Sequence, residues 1–332
     1  MTLPAIAAPD PLLFDGADAI RSPWRMALRR FRRNLLAVIG AVVLLILLAA
    51  CFGSLPWTMG LSDPSNPQSP VRYQAHNLDQ SKKPPAWADR SGKPLPTKFW
   101  MGTDGLGTDI RPRFLLGGAI SLSIGICSAL VAALIGTTVG LIAGYAGGRT
   151  DALLMRLVDV LYGLPYILLV ILMRVALVPL AASVVPDIWA NYCVLLVGIG
   201  AVSWLTLARV VRGQVLSLRQ QPFVEAARAL GFSNSRILGR HILPNLVGTI
   251  VVYATLTVPA AVLSESFLSF LGLGIAAPLP SWGNMAADGM EALNPVLVRW
   301  WLILWPCAGL SLALLALNFV GDGLRDAIDP KG

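Results

Sequence analysis

Six stretches of this chain are long and apolar enough to cross a bilayer, and they constrain its fold more than any other feature. A helix needs about 20 predominantly apolar residues to span the hydrocarbon core. Residues 34–54, 115–145, 153–176, 190–211, 246–271 and 298–320 meet that length. In lipid each backbone polar group must be satisfied within the protein, so such runs are read as helices. The composition agrees. Of 332 residues, 55% are hydrophobic and 13% charged, against about 25% charged in a soluble domain. Mean hydropathy is +0.67. A soluble enzyme, an acidic disordered chain and a nucleic-acid-binding arm all fit poorly. The expected fold is an all-α integral membrane protein with six transmembrane helices.

Six spans place both termini on one side, and the distribution of charge names the side. The net charge is 26 − 18 = +8. The linker 212–244 carries Arg212, Arg219, Arg228, Arg236 and Arg240 against Glu225 alone, whereas 272–297 carries Asp288 and Glu291 and no Lys or Arg. Basic residues collect on the cytoplasmic side, so both termini are expected there. Residues 1–20 lack the basic n-region of a cleavable signal peptide, and Arg21, Arg25, Arg29, Arg30, Arg32 and Arg33 precede the first run. That order predicts an uncleaved anchor. The segment 55–113 holds eight basic and five acidic residues. Long loops translocate largely regardless of charge, so it is placed outside the membrane as irregular structure. The organisation expected is a cytoplasmic segment 1–33, a first span 34–54, an extracytoplasmic loop 55–113, a core 114–320 and a cytoplasmic tail 321–332.

The second run is dense in small residues, among them Gly117, Gly118, Gly125, Gly136, Gly140 and Gly144. Small residues let helix backbones approach closely in lipid, whether in a packed bundle or along a pore. The third run contains Arg156, Asp159 and a possible break at Gly163-Leu164-Pro165. Arg156 and Asp159 are three apart and share a helix face, as a structural pair or as functional charges. Glu265 lies in the fifth run beside Ser264 and Ser266, where it is either a pathway carboxylate or a structural group. The four cysteines lie in or at the edge of apolar runs without CxxC spacing, and only His76 and His241 are present. Buried inert thiols and no metal centre are expected.

The linker 213–244 carries the clearest functional signal. In Gln221–Asn245, Pro222 suits a first helical position, Glu225 favours the first turn and Gly231 is a natural stop. Phe223, Ala226, Ala227 and Leu230 make one apolar stripe. Ser233 or Ser235 is placed to cap a second short helix carrying Ile237, Leu238, His241 and Ile242, with Pro244 marking the return to the membrane. A helix of about nine residues is marginal alone in water, so it docks on its own protein or in a partner's groove.

Glu225-Ala226-Ala227, then Gly231, then Leu243-Pro244 resembles the EAA loop of ABC importer permeases. The run His241–Asn245 resembles the oligopeptide/dipeptide branch, the C-type permease subunit in particular. Met101–Asp104 with Leu106, Gly107 and Asp109, Ser266–Gly274 with Pro280–Met285, and Asn318–Pro330 resemble the same branch in the same order. Gly105 and Thr108 replace charged residues common in that pattern, Pro112 replaces a small polar one, and the Arg174–Asn191 connection is locally unusual.

The resemblance implies a type I ABC importer permease fold in the bacterial inner membrane. It implies a homologous second permease, two ATPase subunits using ATP and Mg, and an extracytoplasmic solute-binding protein. Glu225, Ala226, Ala227 and Gly231, with Leu243 and Pro244, would form the ATPase contact. The cargo implied is dipeptides or oligopeptides, with nickel chelates or another small solute as the alternative. No GxxxxGK[ST] occurs, and Ser91-Gly92-Lys93-Pro94 lacks both the first glycine and the hydroxyl. No HExxH or GxSxG occurs either. The chain itself is therefore expected to hold no cofactor, metal or nucleic acid and to catalyse nothing. An ion-coupled secondary transporter, a channel or a scaffold is the reading from other classes.

Overall fold

The computed structural model describes residues 23–87, 99–293 and 298–328. Ser91–Pro94, Asp329 and the acidic residues before Arg21 lie outside them. Helix α1 (Pro23–Arg33) ends where Asn34 turns the chain into α2 (Leu35–Gly53). The Asn34 side chain accepts from the Ala37 N–H at 3.2 Å, which caps the first span. A short α3 (Leu55–Thr58) follows, then an irregular segment to Asp109.

Helix α4 (Ile110–Ala146) starts on Asp109, whose carboxylate accepts from the Arg111 N–H at 2.9 Å. Its 37 residues run about 55 Å, well beyond a hydrocarbon core of about 30 Å. Pro112 is buried in its first turn, where a missing N–H breaks no helical bond. The third run is not one helix. Helices α5 (Gly148–Tyr162) and α6 (Tyr166–Ala182) meet at 96° across Gly163-Leu164-Pro165. Helix α7 (Asp187–Leu218) returns and leads to α8 (Pro222–Ala229).

The expected second linker helix is not a separate unit. Helix α9 (Asn234–Ile237) runs through a π turn, Leu238–Ile242, directly into α10 (Leu243–Phe270). Pro244 sits in the first turn of α10 and interrupts nothing. Ser233 precedes α9 but its side chain makes no cap bond; its hydroxyl lies 3.3 Å from that of Ser235. Helix α11 (Trp282–Glu291) opens on a capping box of Ser281 and Asn284, and α12 (Trp301–Ile328) closes the chain. Among the described residues, five helices are long and apolar enough to cross a membrane, and the bent α5–α6 pair makes a sixth if its halves are one span.

Gly136, Gly140 and Gly144 of α4 form its seam with α7, whereas Gly117, Gly118 and Gly125 face Ser281, Trp282 and Val262. A Cβ on Gly140 would lie 2.7 Å from the Ala208 carbonyl oxygen and from Val211 Cβ, and one on Gly144 would lie 2.7 Å from Val215 Cβ. The backbones are in near contact there, as small residues permit in lipid. Ser128 on α4 also donates to the Leu196 carbonyl on α7 at 2.7 Å. Helix α2 lies against α12 in the same way, with Gly40 under Phe319. The cysteines depart from expectation in part. Cys51 is buried, but Cys193 and Cys307 are exposed on this chain.

The described residues of 55–109 hold only short helical turns, yet they are packed. Trp301 and Trp305 of α12 donate their indole N–H groups to the carbonyls of Thr103 and Met101, at 3.3 and 3.1 Å. Met101, Ile110, Met285, Trp301 and Leu302 form one buried cluster. Asp104 pairs with Arg113 and also accepts from the N–H groups of Leu106 and Thr108. Thr108, which replaces a charge, is buried with its hydroxyl 2.8 Å from His76 Nδ1. A contact between a hydroxyl and an imidazole occupies that position.

Candidate coupling surface and membrane cavity

Helix α8 has two faces of different character. Pro222 begins it, Glu225 lies exposed in its first turn, and Val224 and Ala227 are buried. These two join Leu207, Val211 and Val215 of α7 and Ile237, Ile242 and Leu246 of the following segment in one core. On the other face Phe223 is 41% and Leu230 74% exposed, and Ala226 is exposed beside them. The apolar stripe read from the sequence is therefore divided. Ala227 turns inward with Val224, which the stripe omitted, and Phe223, Ala226 and Leu230 stay uncovered. The i, i+3 spacing of Val224 and Ala227 was the available signal for the inner face.

Gly231 ends the helix as expected, at φ +79. The Phe232 N–H donates to the Ala227 carbonyl at 3.2 Å and the Gly231 N–H to the Arg228 carbonyl at 3.0 Å. That pair of bonds is a Schellman turn, which needs a left-handed residue at this position. Leu243 and Pro244 lie at the head of α10 rather than on the uncovered face of α8. Arg228 lies over the Tyr145 ring and Arg236 over Phe232, at 5.9 and 5.3 Å from the ring centroids.

Arg209 and Arg212 of α7, with Arg219 just past its end, brace this end of the bundle. Arg212 grips Asp151 of α5 with bonds of 2.5 and 2.6 Å, and Arg219 donates to the Gly144 carbonyl at 3.1 Å. Arg209 pairs with Asp159 at 2.7 Å and lies over the Tyr162 ring. The expected Arg156–Asp159 pair is absent among the described residues. Asp159 reaches across to α7, and Arg156 is exposed on α5.

Glu265 is fully buried and does not line an open surface. Its carboxylate accepts from the hydroxyls of Ser269 at 2.7 Å and Ser266 at 3.2 Å, with Ser121 and Ser281 also in hydrogen-bonding reach. Three of those serines accept backbone N–H groups in turn. Ser269 takes Ile275, Ser121 takes Trp282 and Ser281 takes Asn284. The cluster joins α4, α10 and α11.

Where α5 bends into α6, a cavity of about 490 Å³ opens between them and α7 and α10. Tyr162, Tyr166, Ser203, Thr206, Tyr253 and Thr257 supply its hydroxyls, and no charged side chain lines it. Among the described residues no cluster of His, Cys, Asp and Glu could hold a metal ion.

This architecture has close relatives in sequence. Residues 136–331 match the family described as the binding-protein-dependent transport system inner membrane component, and 22–85 match the N-terminal TM domain of oligopeptide transport permease C. The chain belongs to this family of transport permeases. It is 40% identical over 311 residues to the oligopeptide transport system permease protein OppC of Bacillus subtilis, covering 93% of this chain and 90% of that one. It is also 40% identical to the dipeptide transport system permease protein DppC of the same organism, over 95% and 89% of the two chains. A solved structure of the MetNI methionine ABC transporter, inward facing, shares its fold with TM-score 0.50 at 20% identity, covering 65% of this chain and 96% of that one. The permease is thus a multi-pass protein of the bacterial inner membrane and a subunit of an ATP-driven importer. It is a transport subunit rather than an enzyme, and the reading as an ion-coupled secondary transporter is set aside.

Proposed function

We propose that this permease forms half of the translocation pathway of a dipeptide or oligopeptide importer, and that α8 is its coupling helix. The uncovered face of α8 carries the reading. Phe223, Ala226 and Leu230 present apolar surface on a helix whose inner face is already buried. A short amphipathic helix laid into a hydrophobic groove is a recurring recognition mode. The groove belongs to an ATPase subunit, with Glu225 beside it for a cationic partner and Gly231 holding the turn. Leu243 and Pro244 support that contact from the head of α10.

On this reading the α8 end, both termini and the 213–244 linker are cytoplasmic, and residues 55–109 face outward. A homologous permease completes the pathway, two ATPases bind ATP and Mg, and an external binding protein delivers the peptide. The peptide class is supported by the names of the relatives over nearly the whole chain. ATP binding closes the ATPases, α8 passes the movement inward, and the bundle alternates between outward and inward openings.

The test is the composition of the complex. This chain, tagged and extracted in mild detergent, should copurify with two ATPases and a second permease. Leu230→Asp should remove the ATPases while leaving the permease pair intact. ATPase retention by L230D at the wild-type level, in a complex washed at the same salt, overturns the coupling assignment.

A further inference from the structure

The α6–α7 pair carries a cation within its apolar length. Arg174 lies in α6, in a run from Leu168 to Ala182 with no other charged residue. Its guanidinium donates to Asn191 Oδ1 on α7 at 3.1 Å. This partner lies one turn into α7, which begins at Asp187, so the guanidinium sits toward that end of the helix. Asn191 is itself held, because its amide donates to the Asp187 carbonyl at 2.8 Å. The head group is thus turned toward α7 and is partly buried. Among the described residues no carboxylate lies within ion-pair distance of it; the arginines so paired are Arg111, Arg113, Arg209 and Arg212. A guanidinium has five donors in a planar fork, and a single side-chain acceptor satisfies few of them.

A cavity of about 250 Å³ adjoins this group. Apart from Arg174 and Asn191 its walls are apolar: Ile171, Val175, Val178, Pro179 and Leu273. A cationic fork with one neutral partner in an apolar cavity suits a carboxylate, taken by two parallel hydrogen bonds. Leu195 and Gly198 are buried between Asn191 and Val202, so this cavity is separate from the hydroxyl-rich one.

We infer that Arg174, oriented by Asn191, is a binding site for the terminal carboxylate of the transported peptide. The inference rests on the peptide-importer reading and adds a recognition point within the permease. The experiment uses the complete transporter with its binding protein and ATPases in proteoliposomes. Uptake of trialanine is compared with uptake of its C-terminal amide for wild type, R174Q and R174K. Selectivity of the binding protein is common to all three and divides out of the ratio.

Loss of a charge-assisted contact should lower the carboxylate-to-amide ratio about tenfold in R174Q. R174K keeps the charge without the fork, and its ratio should fall about threefold. If R174Q does not assemble, the ratio in R174K decides, and an unchanged ratio there overturns the site. Equal losses for both substrates in an assembled R174Q complex also overturn it, because a guanidinium bound to another subunit gives that pattern. Wild type that imports neither substrate overturns the peptide reading and this site with it.

Discussion

Glu265 offers the sharpest test of whether a charge inside the bundle serves transport or structure. Its carboxylate accepts from the hydroxyls of Ser269 and Ser266, and the Ser269 oxygen in turn holds the backbone N–H of Ile275. Glu265→Ala removes that acceptor and leaves a void. Two hydrogen bonds, to Ser269 and Ser266, are lost outright. Each buried donor left without a partner costs about 1–3 kcal/mol. In membrane proteins such bonds measure closer to about 0.6 kcal/mol on average, because alternatives are found. The void adds its own term, so a total of about 3–4 kcal/mol is expected. Glu265→Gln keeps the shape and one acceptor oxygen, and should lose about 1–2 kcal/mol. For a cooperative unit of 332 residues the scale is about 1.4 °C per kcal/mol, so E265A should lower the apparent melting temperature of the purified permease by about 5 °C, and E265Q by about 2 °C. Intrinsic tryptophan fluorescence on heating follows this directly, since Trp282 adjoins the cluster. An E265A permease that melts within about 2 °C of wild type but no longer imports peptide in its complex would refute the structural assignment.

Two further outcomes follow from packing. Gly140→Leu should force α4 and α7 apart and cost about 1–3 kcal/mol, seen as lower yield and melting temperature. Gly213→Ala, whose added Cβ meets nothing within 4 Å, is the matched control and should melt like wild type. Trp301→Ala empties the centre of the cluster it forms with Met101, Ile110, Met285 and Leu302, at about 3–5 kcal/mol of local stability. Limited proteolysis within residues 55–109 should accelerate in W301A, and an unchanged digestion rate refutes the docking role of Trp301.

The spans were legible because lipid leaves a single economical solution for a long apolar run. The break at Gly163-Leu164-Pro165 was visible for the same reason, since proline and glycine interrupt a helix locally. Its 96° angle was not, because it depends on where α7 and α10 lie. The docking of residues 55–109 left no periodic trace either. It rests on indole N–H groups meeting isolated carbonyls, and no spacing along the chain records such pairs. The partner of Asp159 was not legible for a related reason. Helical spacing offered Arg156 as a neighbour, but the neighbouring helix supplied Arg209. Within α8, Gly231 and Glu225 behaved locally and were read correctly, while the inner face needed knowledge of what lies beneath it.

On the coupling reading, what lies beneath it also bears on how so short a helix would transmit force. Eight residues make a poor lever alone, because a helix of that length is marginal in water. Here Val224 and Ala227 fasten it to the ends of α7 and α10 together. The Schellman turn at Gly231 removes slack where the chain leaves α8. Arg212 and Arg209 then tie α7 to α5, and Arg219 ties it to α4. A displacement applied to Phe223 and Leu230 therefore reaches α5, α7 and α10 as one body. Beyond Asp159 on α5, the next interruption of regular helix is Gly163-Leu164-Pro165. Leu161, Tyr162, Leu164 and Tyr166, on either side of that bend, line the larger membrane cavity. On the coupling reading, the bend converts movement of the braced end into a change in the width of that cavity. On that same reading, the conformational freedom of the permease would lie beside its cargo and away from its ATPase contact.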